Sequence, residues 1–311
     1  MTTTPETRHD HDHAGHDPHG HGHAHAASSR ELPLALGLTL VFAVIEAVAG
    51  AWSGSLALFG DAGHMLTDAL ALALAFAAAR IALRPVSTRH SFGLVRAETL
   101  AALANGLTML AIIAALLWQA VVRLIAPHPV AGEAVTLVAL AGLAVNLFVA
   151  WRLTRGASDL NTRAALLHVA GDALGSVAAL ASGLIIQFTG WVAIDPLLTM
   201  LICGLILAST LNLLRQAVHT LLEGVPADLS LTEIGQAMAA VQGVRSVHDL
   251  HVWSLDSRRP ALSAHLVIAD LRHWEEILAR ERALLTERFG IAHVTLQPEP
   301  ASGMAVTIHF T

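Results

Sequence analysis

The stretch Ser55–Leu72 reads SLALFGDAGHMLTDALAL, and it places His64 and Asp68 four residues apart inside a long apolar run. Residues spaced i and i+4 lie on one face of a helix, one turn apart. The same H-x-x-x-D spacing returns in HVAGD, which runs from His168 to Asp172 in a second apolar run. Ionisable side chains within membrane-spanning helices are rare and mark functional sites. Two copies of one pair therefore predict a shared function rather than a packing role.

The chain as a whole is unusually poor in charged residues. Of its 311 residues, 54% are hydrophobic and 14% charged, whereas soluble domains carry about 25% charged residues. A bilayer-spanning helix needs about 20 apolar residues, and only helices satisfy their backbone within lipid in a chain of this pattern. The sequence therefore predicts six transmembrane helices, at residues 33–53, 56–79, 99–122, 134–151, 164–188 and 192–214.

The arginines predict the orientation of these helices, because cytoplasmic connections are enriched in positive charge. The second-to-third and fourth-to-fifth connections and the end of helix six carry Arg80, Arg84, Arg89, Arg96, Arg152, Arg155, Arg163 and Arg215. On the opposite side only Arg123 occurs. Both termini are therefore expected in the cytoplasm, in a bacterial inner membrane or a plasma membrane.

The composition divides the chain into three parts. Residues 1–30 form a polar tail with eight of the 19 histidines, and we expect it to be disordered and to collect cytoplasmic metal. Residues 31–222 form the transmembrane domain, and residues 223–311 form a small cytoplasmic domain. Its pattern alternates in the order α-β-β-α-β, which predicts an α+β, ferredoxin-like fold. A domain this small gains stability by pairing with a second copy.

The two motifs together offer a complete metal site. If the polar faces of helices two and five meet, His64, Asp68, His168 and Asp172 supply two imidazole nitrogens and two carboxylate oxygens. Four such ligands satisfy tetrahedral Zn²⁺, whereas all-oxygen sites suit Mg²⁺ or Mn²⁺. Zn²⁺ is therefore the expected metal, and Co²⁺ or Cd²⁺ are secondary candidates.

The six-helix plan, the two H-x-x-x-D motifs, SLALFGDAGHMLTDALAL, SFGLVRAE and VHDLHVWSL together resemble the cation diffusion facilitator family, in particular its bacterial zinc, cobalt and cadmium efflux members. The resemblance covers nearly all of residues 31–300. It implies a homodimeric metal/proton antiporter that exports Zn²⁺ from the cytoplasm. The family's transport-site residues carry over onto the quartet of His64, Asp68, His168 and Asp172.

The resemblance also implies metal sites outside the membrane. In the cytoplasmic domain it places His248 and His265 at zinc-binding positions, with Glu299 or His293 completing the set, so that zinc is a structural or regulatory ligand as well as the substrate. We expect His251, which alternates poorly with His248, to be structural. The connection between helices two and three offers His90, but Leu94 stands where some members have a second histidine, which makes a loop site doubtful.

Other function classes fit the sequence less well. An intramembrane metalloenzyme needs an open metal position and a general base. The quartet already supplies four ligands, and no H-E-x-x-H motif occurs. A metal sensor or buffer does not explain ligands in two membrane spans, although it stays the second hypothesis. No basic patch favours nucleic acid.

Four further polar residues in the apolar runs carry separate expectations. Glu46 in helix one is a candidate for a proton path or an exit vestibule. Asp61 is expected to be a helix-start residue near water. Asn146 is expected to bridge helices. Asp195 is expected to cap helix six, with Pro196 in its first turn.

Overall fold

A computed structural model describes residues 24–154, 160–256 and 259–301; the side chains of 24–36, 160–165 and 167–168 lie outside that description. Six apolar helices come first: α1 Ala24–Ser53, α2 Leu56–Ala82, α3 Ala97–Ile125, α4 Gly132–Thr154, α5 Leu160–Thr189 and α6 Ile194–Leu221. Five contain stretches long and apolar enough to cross a membrane, and α1 contributes a shorter apolar segment, Gly37–Ser53. The predicted six-helix fold is confirmed. Helix α1 begins within the predicted tail, whose residues 1–23 lie outside the described part.

The helices pack through small residues and expose large apolar ones. Helix α1 packs on α2, α4 on α5 and α3 on α6, and α2 also contacts α5. A Cβ atom on Gly50 would lie 2.7 Å from the backbone nitrogen of Phe59, so α1 and α2 approach too closely for any larger residue. Outward-facing side chains such as Trp118 and Phe188 are 71% and 81% exposed. In lipid such a surface carries no cost, because the surrounding chains are equally apolar.

The carboxylate of Asp195 ties three helices together. Fully buried, it accepts hydrogen bonds from Ser55 Oγ at 2.5 Å, from the backbone N–H of Leu56 at 2.6 Å and from Ser182 Oγ at 3.3 Å. The expected capping of α6 is wrong, because α6 begins at Ile194 and its N-cap residue makes no side-chain hydrogen bond. Asp195 instead satisfies the first N–H groups of α2, which have no partner within their own helix. It thereby joins α2, α5 and α6 at one end.

Arg123, the one arginine on the far side of the predicted topology, has a structural role. Its guanidinium donates to the backbone carbonyl of Gly54, in the tight turn between α1 and α2. Gly54 has φ +75°, a left-handed conformation that favours glycine. The arginine therefore anchors a turn, which explains its place outside the arginine-rich connections.

The C-terminal domain contains α7 Leu231–Ala239, β1 Val244–Ser254, β2 Pro260–Ile268, α8 Trp274–Phe289 and β3 His293–Pro300. Strands β1 and β2 pair antiparallel as a hairpin, and β3 returns parallel to β2, which gives the sheet order β1-β2-β3. A parallel neighbour needs a crossover, and α8 supplies it. Both helices pack on the apolar face of the sheet around Ile234, Leu266, Ile277 and Leu285. The predicted α-β-β-α-β order is confirmed.

The pairing of β1 with β2 is irregular at two places. It shifts once between Val244 and Ser246, and again between His248 and His251, where β1 contains a bulge. Asp249, within that bulge, has φ 50°, a left-handed conformation that is uncommon for residues other than glycine. A bulge re-aims the side chains beside it. This one lies next to His248, whose Cα is paired directly with that of His265.

Candidate metal centres

The α2 motif forms a close pair. His64 Nε2 lies 3.7 Å from Asp68 Oδ2, and each side chain is 22% exposed. One turn of helix separates the two residues, as their spacing predicts. Thr67, which precedes Asp68 in the chain, donates its hydroxyl to the backbone carbonyl of Gly63 at 2.6 Å. The imidazole of His64 and the carboxylate of Asp68 therefore lie side by side on one face of α2.

The α5 motif is described only in part. Asp172 is 1% exposed, and it lies on the helix that contacts α2. The side chain of His168 falls outside the described residues, so the fourth predicted ligand has no placement here. Among the described side chains, only one group of three or more potential ligands comes within 4.8 Å, and it lies in the C-terminal domain. The structure thus brings α2 and α5 together without gathering His64, Asp68 and Asp172 at coordinating distances.

Two further carboxylates are buried in the membrane domain. Glu46 is fully buried and Asp61 is 3% exposed, and both interact electrostatically with Asp172. The expectation that Asp61 is a helix-start residue near water is wrong. Gly175 of α5 lies so close to the Asp61 carboxylate that a Cβ atom would not fit. The sequence signal for the burial of Asp61 is Gly175, three residues after Asp172, because a residue without a side chain allows α5 to cover Asp61.

A hydrogen bond links α4 to this region. Asn146 Nδ2 donates to Ser176 Oγ at 3.2 Å, and both residues are buried. The predicted role of Asn146 as a bridge between helices is confirmed. The bond holds α4 against the turn of α5 that follows Asp172.

In the C-terminal domain, His248, His265 and Glu299 form a group of side chains that could hold a metal ion. His248 Nε2 lies 3.0 Å from Glu299 Oε2, and His265 Nδ1 lies 2.9 Å from Glu299 Oε1. The two imidazole rings meet edge to face, with centroids 5.3 Å apart. One carboxylate thus bridges two histidines on adjacent strands. The hydrogen bond that Glu299 accepts from His248 holds the pKa of its carboxyl below the ordinary value, and the hydrogen bond from His265 adds a smaller effect in the same direction.

Strand register assembles this group. His248 on β1 and His265 on β2 are direct cross-strand partners. In β3, Gln297 is level with His265 and Glu299 with Val267, which places Glu299 two residues further along the same strand. Side chains two residues apart share a face of the sheet. Glu299 therefore projects on the same face as both histidines.

His293, the other residue considered for this site, lies elsewhere. Its ring contacts that of Phe92, in the α2–α3 connection, edge to face with centroids 5.9 Å apart. That connection also carries His90, whose backbone pairs with Ser87 in a short turn, and Leu94. In the described part of the chain, His90 belongs to no group of three potential ligands. The sequence alone could not decide whether His293 or Glu299 completes the group with His248 and His265, because the register of β3 depends on the α8 crossover.

A cavity of about 960 Å³ separates the α2–α3 connection from the C-terminal domain. Its walls include Arg89, His90, Phe92, His251 and Trp253. The two parts are also joined by an ion pair, with Arg96 Nη2 lying 3.0 Å from Glu223 Oε1. The start of α3 is thereby connected to the segment that follows α6.

Two family models together match most of the chain. The model described as "Cation efflux transmembrane domain" matches residues 32–222, and "Cation efflux protein, cytoplasmic domain" matches residues 226–301. The first match ends, and the second begins, within a few residues of the junction that composition predicts.

Full-length relatives show the same similarity. "Zinc transporter ZitB" of Pectobacterium atrosepticum is 42% identical over 84% of this chain and 82% of its own length. "Metal cation efflux system protein CzcD" of Cupriavidus metallidurans is 41% identical, over 85% and 84%. "Cadmium, cobalt and zinc/H(+)-K(+) antiporter" of Bacillus velezensis is 37% identical, over 84% and 85%. A solved structure, "Metal-bound C-terminal domain of the CzcD transporter", is 37% identical and covers 23% of this chain and 99% of its own, with a TM-score of 0.22.

Proposed function

Because the chain belongs to the cation efflux family and is a multi-pass membrane protein, we propose that it exports Zn²⁺ from the cytoplasm in exchange for protons. Co²⁺ and Cd²⁺ are proposed as secondary substrates, since relatives are named for them. The transport site is the quartet of His64, Asp68, His168 and Asp172. Nothing in this role requires bond-making catalysis.

The observation that carries the proposal is the pair of H-x-x-x-D motifs on two helices that contact each other. His64 and Asp68 lie side by side on α2, and Asp172 is buried on α5. Two imidazoles and two carboxylates match the tetrahedral preference and ligand types of Zn²⁺. Because α2 and α5 contact each other, we propose that the two helices close around the ion when it binds. Asp195 ties both helices at one end, which confines such movement to the rest of the bundle.

Protons are the proposed counter-ion. Zinc requires neutral imidazoles and ionised carboxylates, so binding the metal displaces protons from these groups. Imidazole ordinarily titrates close to physiological pH, which makes the exchange possible in a cell. The relative from Bacillus velezensis carries both H⁺ and K⁺ in its name. A site built of two imidazoles supports protons over K⁺, because protons and zinc compete for the same lone pairs.

The proposed assembly is a homodimer in the inner or plasma membrane. The C-terminal domain matches a cytoplasmic domain of the family, and its small core gains from pairing. The arginine-rich connections favour a cytoplasmic position for both termini. In this arrangement the chain works as a His-rich collecting tail at 1–30, a transport domain at 31–222 and a cytoplasmic metal-binding and dimerisation domain at 223–311.

A second zinc ion is proposed at His248, His265 and Glu299, as a structural or regulatory ligand. The donor set fits, since two imidazoles and one carboxylate are ordinary zinc ligands within reach of one ion. Three protein ligands leave one tetrahedral position, which water or a partner subunit can fill. The carboxylate that already bonds both histidines holds the three donors together before the ion arrives.

Zinc uptake into vesicles tests the proposed function. The purified chain is reconstituted into lipid vesicles, and external zinc is followed into the lumen with a trapped fluorescent indicator. A transporter accumulates many ions per protein molecule, whereas a sensor or buffer binds only a few. Binding in stoichiometric amounts without luminal accumulation would reject export in favour of the sensor hypothesis.

Replacing His64 by aspartate is expected to weaken the selectivity for zinc. The substitution exchanges an imidazole for a harder oxygen ligand, which favours Mn²⁺ and tolerates larger ions such as Cd²⁺. Competitive uptake of the three metals should show the zinc preference reduced several-fold. His128→Asp, which alters an exposed histidine in the α3–α4 connection, is the matched control and should leave the ratios unchanged. Equal ratios in both variants would place selectivity outside the quartet.

A further inference from the structure

The bulge between His248 and His251 brings a further carboxylate, that of Asp249, next to the three proposed cytoplasmic ligands. Asp249, with its left-handed backbone, directs its carboxylate between two histidines. Its Oδ2 lies 3.6 Å from His265 Nε2, and its Oδ1 lies 3.0 Å from His251 Nε2. His251 is therefore held by Asp249, and the expectation that it is merely structural misses this contact.

The ring of His265 consequently has one carboxylate at each nitrogen. Nδ1 faces Glu299, at 2.9 Å, on the side where His248 also lies. Nε2 faces Asp249 on the opposite edge of the ring. The two edges are chemically distinct, because a neutral imidazole carries a proton on one nitrogen and a lone pair on the other.

A metal ion must bind the nitrogen that carries the lone pair. Metal-bound histidines almost always donate the remaining N–H to a carboxylate or carbonyl, which fixes the tautomer and the ring orientation. Nδ1 of His265 is the nitrogen that contacts Glu299, at 2.9 Å, and Glu299 in turn contacts His248. In the structure Nδ1 donates to Glu299, so zinc binding at Nδ1 must displace that proton; the imidazole then carries its proton on Nε2, which faces Asp249.

We propose that Asp249 is a positioning residue: it accepts the Nε2 proton of His265 and so presents Nδ1 to the metal, while His251 holds Asp249 in place. This inference rests on the proposed zinc site at His248, His265 and Glu299. Asp249 orients rather than coordinates, because the described ligand group within 4.8 Å comprises those three residues without it. At 3.6 Å the contact with His265 is longer than a hydrogen bond, and we expect it to shorten when zinc binds.

The backbone of Asp249 supports a role beyond packing. A residue with a side chain pays a conformational cost at φ 50°, and such costs persist where the surrounding structure needs the conformation. Aspartate and asparagine tolerate this region better than other residues except glycine. Glycine would be the least strained choice, but it has no carboxylate. Asparagine shares the tolerance and the shape, and it removes only the charge.

Asp249→Asn is therefore the test variant. Zinc binding to the full-length chain in detergent is measured by competition with a chromophoric chelator. We expect the affinity of the cytoplasmic site to fall by about 10- to 100-fold, the usual effect of losing such a partner. Thermal unfolding of the metal-free chain should not change. Asp270→Asn is the matched control, because Asp270 is an aspartate of the same domain whose partners are Arg272 and His273.

A spectroscopic measurement distinguishes a positioning role of Asp249 from a purely structural one. In the zinc-loaded wild-type chain, the ¹⁵N chemical shifts of His265 should identify Nδ1 as metal-bound and Nε2 as protonated. Zinc on Nε2 would overturn the inference, as would an unchanged affinity in Asp249→Asn.

His248→Ala, which removes a ligand, distinguishes this inference from the site on which it rests. If His248→Ala loses one bound zinc and Asp249→Asn keeps wild-type affinity, the site stands and the positioning role fails. If His248→Ala binds zinc as the wild type does, the cytoplasmic site and the inference are both wrong.

Discussion

Replacing Asp172 by alanine is expected to reduce zinc uptake to the level of vesicles without protein. Asp172 is the proposed α5 ligand whose side chain the structure describes, and it is buried. Removing it leaves at most three of the four proposed ligands and takes away one of the two negative charges that balance the ion. His168→Ala should have the same effect, because the quartet supplies one ligand from each position. Radioactive zinc accumulation in reconstituted vesicles measures the loss.

Loss of fold must be separated from loss of the ligand. Asp172→Asn keeps the size of the side chain and should be inactive as well, since an amide is a poor zinc ligand. Gln187→Ala removes an exposed polar side chain from the same helix and should transport zinc normally. All variants should still bind zinc at His248, His265 and Glu299. Normal transport by Asp172→Ala and His168→Ala would exclude the quartet from the mechanism.

An acidic vesicle lumen is expected to accelerate zinc uptake several-fold when the cytoplasmic face points outward. In the proposed exchange, zinc loading expels protons from the quartet, and luminal protons then displace the zinc on the other side. Competition for the same four groups is sufficient for exchange if the site opens alternately to each face. Rates are compared with the lumen at equal pH and with a proton ionophore, which should abolish the acceleration.

A potassium gradient provides the matched comparison. If protons are the counter-ion, an outward potassium gradient of the same size should leave the initial rate unchanged at equal pH. Luminal alkalinisation should accompany zinc entry in wild-type vesicles and be missing in those with Asp172→Ala. Uptake that ignores the pH gradient, without proton movement, would contradict the proposed exchange.

The membrane fold was predictable because lipid imposes simple rules. Long runs without charge, such as 99–122, have no alternative to a buried helix or a membrane span, and the described helices match them. The pairing of His64 with Asp68 follows from helical periodicity alone. Helix ends were less predictable, since α1 and α5 extend beyond their apolar segments into polar residues.

Contacts between distant segments could not be predicted from the sequence. Asp195 resembles a cap for its own helix, yet it caps α2, some 139 residues away in the chain. Asp61 looks like a residue near water until Gly175 of α5 is known to cover it. In both cases the partner of the carboxylate comes from another helix. The environment of each residue therefore depends on packing between helices, which the local sequence pattern does not specify.

The C-terminal domain shows the same limit within a sheet. Alternation predicts its strands, but the bulge at Asp249 shifts the register of β1 by an amount that no local pattern specifies. That shift decides which of the histidines in VHDLHVW faces Glu299. His248 joins the ligand group, and His251 contacts Asp249 instead.

Zinc X-ray absorption spectroscopy tests the quartet most directly. One equivalent of zinc is bound to a chain that carries His248→Ala and lacks residues 1–27, so that the cytoplasmic group and the histidine-rich tail do not compete. The account predicts four nitrogen and oxygen ligands at about 2.0–2.2 Å, with the outer-shell scattering of two imidazoles. Adding Asp172→Ala should change this spectrum and weaken binding. A zinc environment without imidazole, or one that Asp172→Ala leaves unaltered, would contradict a transport site formed by α2 and α5.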